Sequence, residues 1–217
     1  MAALSIPARS VGGDYYDLLE LGDDRTGIGL ADVAGKGVPA ALIMSVVQAT
    51  LRVLSAEPAI SLSDLVAKMN HFLYRSTGSS SYATFFYAQV DQRELKLRYV
   101  NAGHNPPYVL RVDGASMAVE ELSVGGTVIG MFPQAQYEEG VVDLRSGDVL
   151  MVFTDGVPEA LNPNDEEFGE ERLKCVLRQV VSLPVEEMLR RISQELKDWI
   201  QDAPQYDDLT FILMKVS

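Results

Sequence analysis

Residues 29–37 have the sequence GLADVAGKG, in which an apolar strand ends at an aspartate and a glycine-rich turn follows. Pro39 lies just beyond, and the apolar run around it predicts that a helix starts there. A helix N-terminus presents free backbone N–H groups, and an aspartate adds a hard oxygen ligand. The stretch therefore indicates a place to hold a cation or a phosphate, with Asp32, Gly35 and Lys36 as candidates. A plain tight turn that opens a helix is the alternative interpretation.

Composition narrows the class of protein. The chain has 217 residues, 47% hydrophobic and 23% charged, which is typical of one ordinary globular domain with a good core. Its net charge of -13 disfavours nucleic acid as a partner. The single cysteine, Cys175, excludes an internal disulfide and indicates a reducing, cytoplasmic compartment. The longest uncharged run, residues 37–51, is too short to span a bilayer, so we expect no membrane span.

Hydrophobic periodicity predicts alternating groups of strands and helices. Strands are expected at residues 4–8, 15–21, 28–33, 82–90, 95–101, 108–112, 118–122, 140–144, 149–154 and 209–216. Helices are expected at residues 38–54, 61–77, 170–182 and 185–202, with turns at 22–27, 91–93, 113–114 and 145–148 and a flexible tip at 78–81. Turns of hairpin length between the strands predict mostly antiparallel sheets with helices packed outside, an α+β layered fold.

Four turns carry an aspartate at the start or end of a strand that the pattern predicts to be buried. They lie at Asp14, Asp32, Asp155 and Asp207–Asp208. If the ends of these strands converge, the carboxylates repel one another and cannot all ionise without cations. Magnesium and manganese are the natural partners of such oxygen ligands. Only two histidines are present, and there is no cysteine or histidine spacing for zinc and no phosphate-binding P-loop.

Five short motifs carry a resemblance to a known family. They are GGDYYD at 12–17, DVAGKGVPAAL at 32–42, NAGHNPP at 101–107, FTDGVPEA at 153–160 and DDLT at 207–210. Together and in order, they resemble the PPM metal-dependent serine/threonine phosphatases, the superfamily of protein phosphatase type 2C. Within it, the bacterial SpoIIE-like branch with its RsbU-type regulators is the most similar. The resemblance covers almost the whole chain.

The resemblance implies a fold and a reaction. The fold is a four-layer α-β-β-α sandwich of two antiparallel sheets flanked by helix pairs. The chain, residues 1–217, is then a single catalytic domain, excised from a larger regulatory protein or at the C-terminus of one. The reaction is direct hydrolysis of a phosphoprotein by a hydroxide that two divalent cations, manganese or magnesium, hold between them. The implied substrate is a phosphorylated anti-sigma-factor antagonist of the STAS type.

The resemblance also assigns roles to individual residues. Asp32 is similar to the aspartate that bridges both metals. The other implied ligands are the Val33 carbonyl oxygen beside it, Asp14 on the second metal directly or through water, and Asp155 and Asp207 on the first metal. Asp208 stands where relatives often have asparagine, and the resemblance implies that it supports the ligands without binding metal directly.

Three further residues are left with two interpretations each, and His71 has one. Asp17 is either a supporting residue of the metal site or an exposed strand carboxylate. Arg9 lies five residues before Asp14, as a phosphate-binding arginine does in eukaryotic relatives, and otherwise is a surface residue. His104 is a candidate general acid, but we favour a turn histidine bound to backbone. His71 is expected on a face of the second helix.

Regulation and partners follow from the same resemblance. Relatives in this branch usually carry a sensor segment, so we expect an upstream activator as a partner. The helix at 38–54 leaves the metal turn directly and is apolar on nearly every side. We therefore expect low basal activity, weak metal affinity and a homodimer formed through residues 38–77. A phosphoprotein-binding module without turnover and a purely structural interaction domain are the two alternative functions.

Overall fold

The computed structural model describes residues 1–22, 24–57, 59–77, 81–113 and 116–216. The strands are β1 (Ala2–Ile6), β2 (Asp14–Glu20), β3 (Arg25–Val33), β4 (Ala83–Asp91), β5 (Lys96–Ala102), β6 (Tyr108–Asp113), β7 (Ser116–Glu121), β8 (Gly125–Gly126), β9 (Gly140–Asp143), β10 (Val149–Phe153) and β11 (Leu209–Lys215). The helices are α1 (Val38–Leu54), α2 (Leu62–Thr77), α3 (Glu170–Val180) and α4 (Val185–Ile200).

The chain forms two compact units. Unit 1 comprises Met1–Arg9, Pro107–Glu121 and Arg145–Ser217, and unit 2 comprises Ser10–Pro106 and Leu122–Leu144. Each unit contains one sheet, one helix pair and a hydrophobic core of its own. The predicted α+β class, with mainly antiparallel sheets and pairs of helices, is confirmed.

The sheet of unit 2 has the strand order β2-β3-β4-β5-β8, and β9 also pairs with β5. All of these pairs are antiparallel except the short parallel contact of β5 with β8. Helices α1 and α2 pack on one face of this sheet, where Val33, Phe85 and Leu51 belong to the same buried core. The face of the sheet opposite these helices carries the candidate residues Asp14 and Asp32, because their chain neighbours Tyr15 and Val33 point toward the helices.

The sheet of unit 1 has the strand order β1-β11-β10-β6-β7, and all of its pairs are antiparallel. Helices α3 and α4 contribute Leu177 and Ile192 to a core that also holds Phe153 and Phe211 from β10 and β11. Phe153 and Phe211 lie directly opposite each other at one end of these two central strands. The candidate ligands Asp155 and Asp207 lie just beyond that end.

Element boundaries differ from the predicted ones by a few residues. The first strand ends at Ile6 rather than at residue 8, because Pro7 has no N–H and the N–H of Ala8 binds Asp208 instead. The last helix ends at Ile200 because Gln201 has a positive φ of 50°. The strand Gly125–Gly126 was not predicted, since two glycines give no alternating pattern. The predicted turns at 22–27 and 113–114 and the tip at 78–81 include residues outside the described part of the chain.

No helix within the described residues is long and apolar enough to cross a membrane.

Candidate metal centre

The first carboxylate pair belongs to unit 2. Asp14 opens β2 and Asp32 lies one residue before the end of β3, and these two residues are direct partners in the antiparallel register. Directly opposite residues of neighbouring strands point to the same face of the sheet, with Cβ atoms about 4.5–5.5 Å apart. Two like charges in this arrangement destabilise a sheet unless a cation or a donor offsets them.

Glycines shape the backbone around this pair. A Cβ atom on Gly13 would lie 3.1 Å from the Val33 carbonyl oxygen, which is a tight contact, and 3.6 Å from Asp32 Oδ1, which is an ordinary one. Gly35 and Gly37 have φ values of 109° and 76°, which residues with a side chain rarely adopt. These glycines turn the chain sharply from β3 into α1, as the opening stretch of the sequence predicts.

The second carboxylate group belongs to unit 1. Asp155 follows β10, and Asp207 and Asp208 precede β11. A Cβ atom on Gly156 would lie 2.1 Å from the Asp208 carbonyl oxygen and 3.5 Å from the Asp207 Cβ atom. The absence of a side chain at Gly156 therefore lets the turn after β10 touch the turn before β11. This close approach places Asp155 next to Asp207 and Asp208.

Hydrogen bonds fix the second group. The N–H of Asp208 donates to Asp207 Oδ1 at 2.9 Å, and Asp208 Oδ1 accepts the N–H of Ala8 at 2.7 Å. Gln205 donates to the carbonyl oxygens of both Ile6 and Asp207, at 2.9 and 2.8 Å. Asp208 is buried, whereas Asp207 is half-buried. Asp208 thus positions the backbone of Ala8, the residue before Arg9.

The candidate phosphate-binding residues lie at the surface. Arg9 follows the segment that Asp208 and Gln205 hold, and its side chain is exposed. Lys36 and Gly35 are exposed at the turn after β3. These positions leave all three residues accessible to a phosphate from solvent, and they are equally compatible with a surface role for Arg9.

Asp17 takes a different place from the one expected. It is 7% exposed, so its interpretation as an exposed carboxylate is wrong. It lies three residues from Asp14 and therefore on the opposite face of β2, toward the helices. Arg52 of α1 donates to both Asp17 oxygens, at 2.6 and 2.9 Å, and the Tyr15 hydroxyl donates to Oδ2 at 2.8 Å. Asp17 joins α1 to β2 and is not directed toward Asp14.

Both histidines follow the favoured interpretations. The His104 backbone N–H donates to Asn101 Oδ1 at 2.8 Å, and Asn101 Nδ2 donates to the Leu122 carbonyl oxygen at 3.0 Å. His104 is buried at 6% exposure, and its Nδ1 lies 2.8 Å from Thr84 Oγ1. It is therefore a turn histidine, and its ring contacts the Thr84 hydroxyl. His71 is exposed on α2.

Sequence analysis missed one acidic residue near the second group. Burial raises the pKa of Glu159, and the charges of Asp155, Glu167 and Asp207 raise it further. Glu159, Glu167 and Asp207 also line a cavity of about 180 Å³ in unit 1. The FTDGVPEA motif contains Glu159 four residues after Asp155, where its backbone N–H donates to the Asp155 carbonyl oxygen. A one-turn spacing was the only signal in the sequence that could have found it.

The donors present fit hard divalent cations. They are carboxylate oxygens and one backbone carbonyl oxygen, which magnesium and manganese prefer. No group of three or more histidine, cysteine, aspartate and glutamate side chains in the described ranges has the arrangement of a metal site. The candidate carboxylates form one group in unit 2, Asp14 and Asp32, and one group in unit 1, Asp155, Asp207 and Asp208.

Comparison with protein families places these motifs in a known context. The family model described as Stage II sporulation protein E (SpoIIE) matches residues 22–217. The chain is 32% identical to Protein IcfG of Synechocystis, over 95% of this chain and 36% of that protein. It is 29% identical to the phosphoserine phosphatase RsbU of Bacillus subtilis, over 99% of this chain and 62% of that protein. The chain therefore spans less than two thirds of the length of either relative.

A solved structure agrees in fold. The SiaA-PP2C domain of Pseudomonas aeruginosa superposes with a TM-score of 0.86 at 25% sequence identity. The superposition covers 100% of this chain and 85% of that one. The order of strands and helices described above is thus that of a PP2C domain.

Proposed function

This chain belongs to the SpoIIE family of PPM-type phosphatases, and we propose that it is a metal-dependent phosphatase that removes phosphate from serine or threonine of a phosphoprotein. The observation that carries the proposal is the Asp14–Asp32 pair. These two carboxylates lie opposite each other in the β2–β3 register, at the end of the sheet where Val33 and the glycine turn follow. Like charges placed opposite each other in this way are stabilised when a cation binds them.

Each implied ligand has a defined support in its own unit. In unit 2, the Asp14–Asp32 pairing supports the assignment of these two carboxylates and the neighbouring Val33 carbonyl oxygen as ligands. In unit 1, the contact of Gly156 with Asp208 keeps Asp155 and Asp207 adjacent. We assign both groups to one two-metal centre because the family resemblance does so.

The chemistry divides between cations and side chains. Two divalent cations, when bound, lower the pKa of a water molecule and neutralise charge on the phosphate oxygens. The side chains of this chain position and orient the phosphate group. Arg9 offers a planar fork that suits a phosphate dianion, and Ala8, held by Asp208, fixes where that fork begins. Lys36 adds a positive charge at the turn after Asp32.

The substrate class and the partners rest on the family. RsbU carries the name phosphoserine phosphatase, which supports phosphoserine as the substrate of this chain. By analogy with the sigma-factor regulators of this branch, the phosphoprotein is a STAS-type antagonist and an upstream sensor controls the activity. Similarity of fold does not identify the substrate protein, so the experiment first tests which phosphorylated amino acid is hydrolysed.

The test compares release of inorganic phosphate from phosphoserine, phosphothreonine and phosphotyrosine peptides. We expect release from phosphoserine or phosphothreonine peptides with manganese or magnesium, and none in the presence of EDTA. Release that is equal with and without EDTA would contradict metal dependence. Manganese binding without release from any of the peptides or from a phosphorylated STAS domain would favour a phosphoprotein-binding module instead.

A further inference from the structure

A polar row crosses the sheet of unit 2 beside the implied ligands. The register pairs Asp14 with Asp32 and Asp32 with Thr84, so the three residues lie side by side on β2, β3 and β4. All three share the face opposite α1 and α2, because Ala83 and Phe85 beside Thr84 belong to the core that contains these helices. Thr84 is thus a direct lateral neighbour of Asp32.

His104 continues this row. Its Nδ1 lies 2.8 Å from Thr84 Oγ1, and its ring is buried in the turn that follows β5. Asn101 fixes that turn through the His104 backbone N–H. Gly103 has a φ of 66°, and a Cβ atom there would lie 2.7 Å from Val128 Cγ1, so the turn tolerates only glycine. The NAGH motif at residues 101–104 therefore fixes the position of the His104 imidazole.

The hydrogen-bond chemistry of this contact depends on the tautomer. If Nδ1 accepts, the Thr84 hydroxyl donates its one hydrogen to the imidazole and cannot donate to another acceptor. If Nδ1–H donates to Thr84 Oγ1, that hydrogen remains available for another acceptor. Directly opposite residues have Cβ atoms about 4.5–5.5 Å apart, which lets a threonine hydroxyl reach an aspartate carboxylate. In the second arrangement the Thr84 hydroxyl can donate to Asp32, which offsets part of the Asp14–Asp32 repulsion.

We propose that Thr84 and His104 are positioning residues for Asp32: His104 Nδ1–H donates to Thr84 Oγ1, and the Thr84 hydroxyl donates to the Asp32 carboxylate. The inference rests on the proposed function, because it treats Asp32 as a cation ligand. This role differs from both interpretations given above for His104, a general acid and a turn histidine bound to backbone. His104 acts on the metal site through Thr84 and does not touch the reacting atoms.

The test is a calorimetric titration of the full chain with manganese chloride. Thr84→Val keeps the shape of the side chain and removes the hydroxyl, whereas Thr84→Ser keeps the hydroxyl. We expect Thr84→Val to weaken manganese affinity by about 10–100-fold, the usual effect of losing a partner of a metal ligand. Thr84→Ser is expected to retain most of the wild-type affinity. Equal affinities of these two variants overturn the proposal.

A second pair of variants tests the histidine independently, in case Thr84→Val does not fold. His104→Asn can place an amide N–H near the position of Nδ1–H, whereas His104→Leu cannot donate. We expect His104→Asn to bind manganese more tightly than His104→Leu. We also expect His104→Leu to add little to Thr84→Val in the double variant, because both break one chain of hydrogen bonds. Equal binding by the two His104 variants, or additive losses, overturns the proposal.

Asp32→Asn in the same titration separates this inference from the proposed function. If Asp32→Asn binds manganese as the wild type does, the metal site itself is wrongly assigned. If Asp32→Asn loses manganese binding while Thr84→Val keeps it, only the role of Thr84 and His104 is wrong. Thermal unfolding of each metal-free variant checks that the chain is folded before the titration.

Discussion

At the scale of single residues, Asp17 shows how a carboxylate near a functional motif can serve the fold. Burial alone would raise the pKa of Asp17, but the hydrogen bonds from Arg52 and Tyr15 outweigh it and hold the pKa below its ordinary value. The same environment raises the pKa of the Tyr15 hydroxyl, mainly through burial. A carboxylate with a lowered pKa stabilises the folded chain while it is ionised.

Asp17→Asn should therefore lower the free energy of unfolding at pH 7, by about 1.5–3 kcal/mol for lost hydrogen bonds to a charged group. Stabilisation by Asp17 is present above the pKa of the unfolded chain and is lost as pH falls through the lower folded value. The difference between variant and wild type should thus shrink below pH ~4. Denaturant unfolding of the metal-free protein between pH 2 and pH 7 (a range set by the ~3.9 pKa of a free aspartate) measures it. Glu20→Gln, an exposed change on the same strand, is the control, and an equal loss there would contradict the account.

Arg9 gives a prediction about substrate binding. Arg9→Lys keeps the charge but loses the planar fork, so we expect weaker catalysis on a phosphoprotein and unchanged manganese affinity. Steady-state kinetics with a phosphoserine substrate measure the first quantity and calorimetry the second. Arg98→Lys replaces another exposed arginine and serves as the control. Kinetics of Arg9→Lys that match the wild type would return Arg9 to its surface interpretation.

Prediction from sequence worked for single residues where a local rule applies. The glycines at 35 and 37 and the proline after them identify the turn that follows Asp32, and the positive φ values agree. The partners of Asp17 could not be predicted, since Arg52 is 35 residues away and nothing local links the two. The assignment of Asp14, Asp32, Asp155 and Asp207 as metal ligands stays a prediction.

At the scale of elements, α1 has one end beside the candidate site and the other end bound to β2. Its N-cap is Gly37, five residues after Asp32, and Arg52 in its last turn holds Asp17 of β2. Only Ala40, Val47 and Leu51 of α1 are buried, while Val38, Leu42 and Val53 are 65–68% exposed. The expected helix, apolar on nearly every side, thus has an open apolar side.

This open side predicts self-association. We expect the apparent mass in light scattering to rise with protein concentration, because a second copy that covers Leu42, Val53 and the exposed Phe72 of α2 would bury apolar surface. Leu42→Glu should lower the apparent mass. Val141→Glu, which charges an exposed valine on β9, should leave it unchanged. A strict monomer at all concentrations, with and without manganese, contradicts the expectation.

Elements were predicted well because their patterns are long. The bounds of α1 agree with the predicted residues 38–54, and α2 starts one residue later than predicted, where Ser61 caps it by accepting the Asp64 N–H. The strand Gly125–Gly126 was missed because its place depends on the Asn101 and Ala102 backbone of β5 and not on its own sequence. Contacts distant in sequence therefore account for what periodicity could not predict.

At the scale of the whole molecule, acidic residues outnumber basic ones. The chain carries 31 acidic and 18 basic residues, and this net negative charge attracts cations. In the metal-free protein the carboxylates within each group repel one another. Removing one of them should abolish turnover and leave metal-free stability equal or higher, which is the reverse of an ordinary loss of a structural residue.

The most direct measurement is hydrolysis of a phosphoserine protein by Asp32→Ala and Asp155→Ala, with manganese in excess. Asp202→Ala, a change at an exposed aspartate outside the motifs, is the control. We expect Asp32→Ala and Asp155→Ala each to lose turnover, although both fold and their metal-free unfolding temperatures equal or exceed that of the wild type. Asp202→Ala should retain turnover. Hydrolysis by Asp32→Ala at a rate near that of the wild type would contradict the two-metal account.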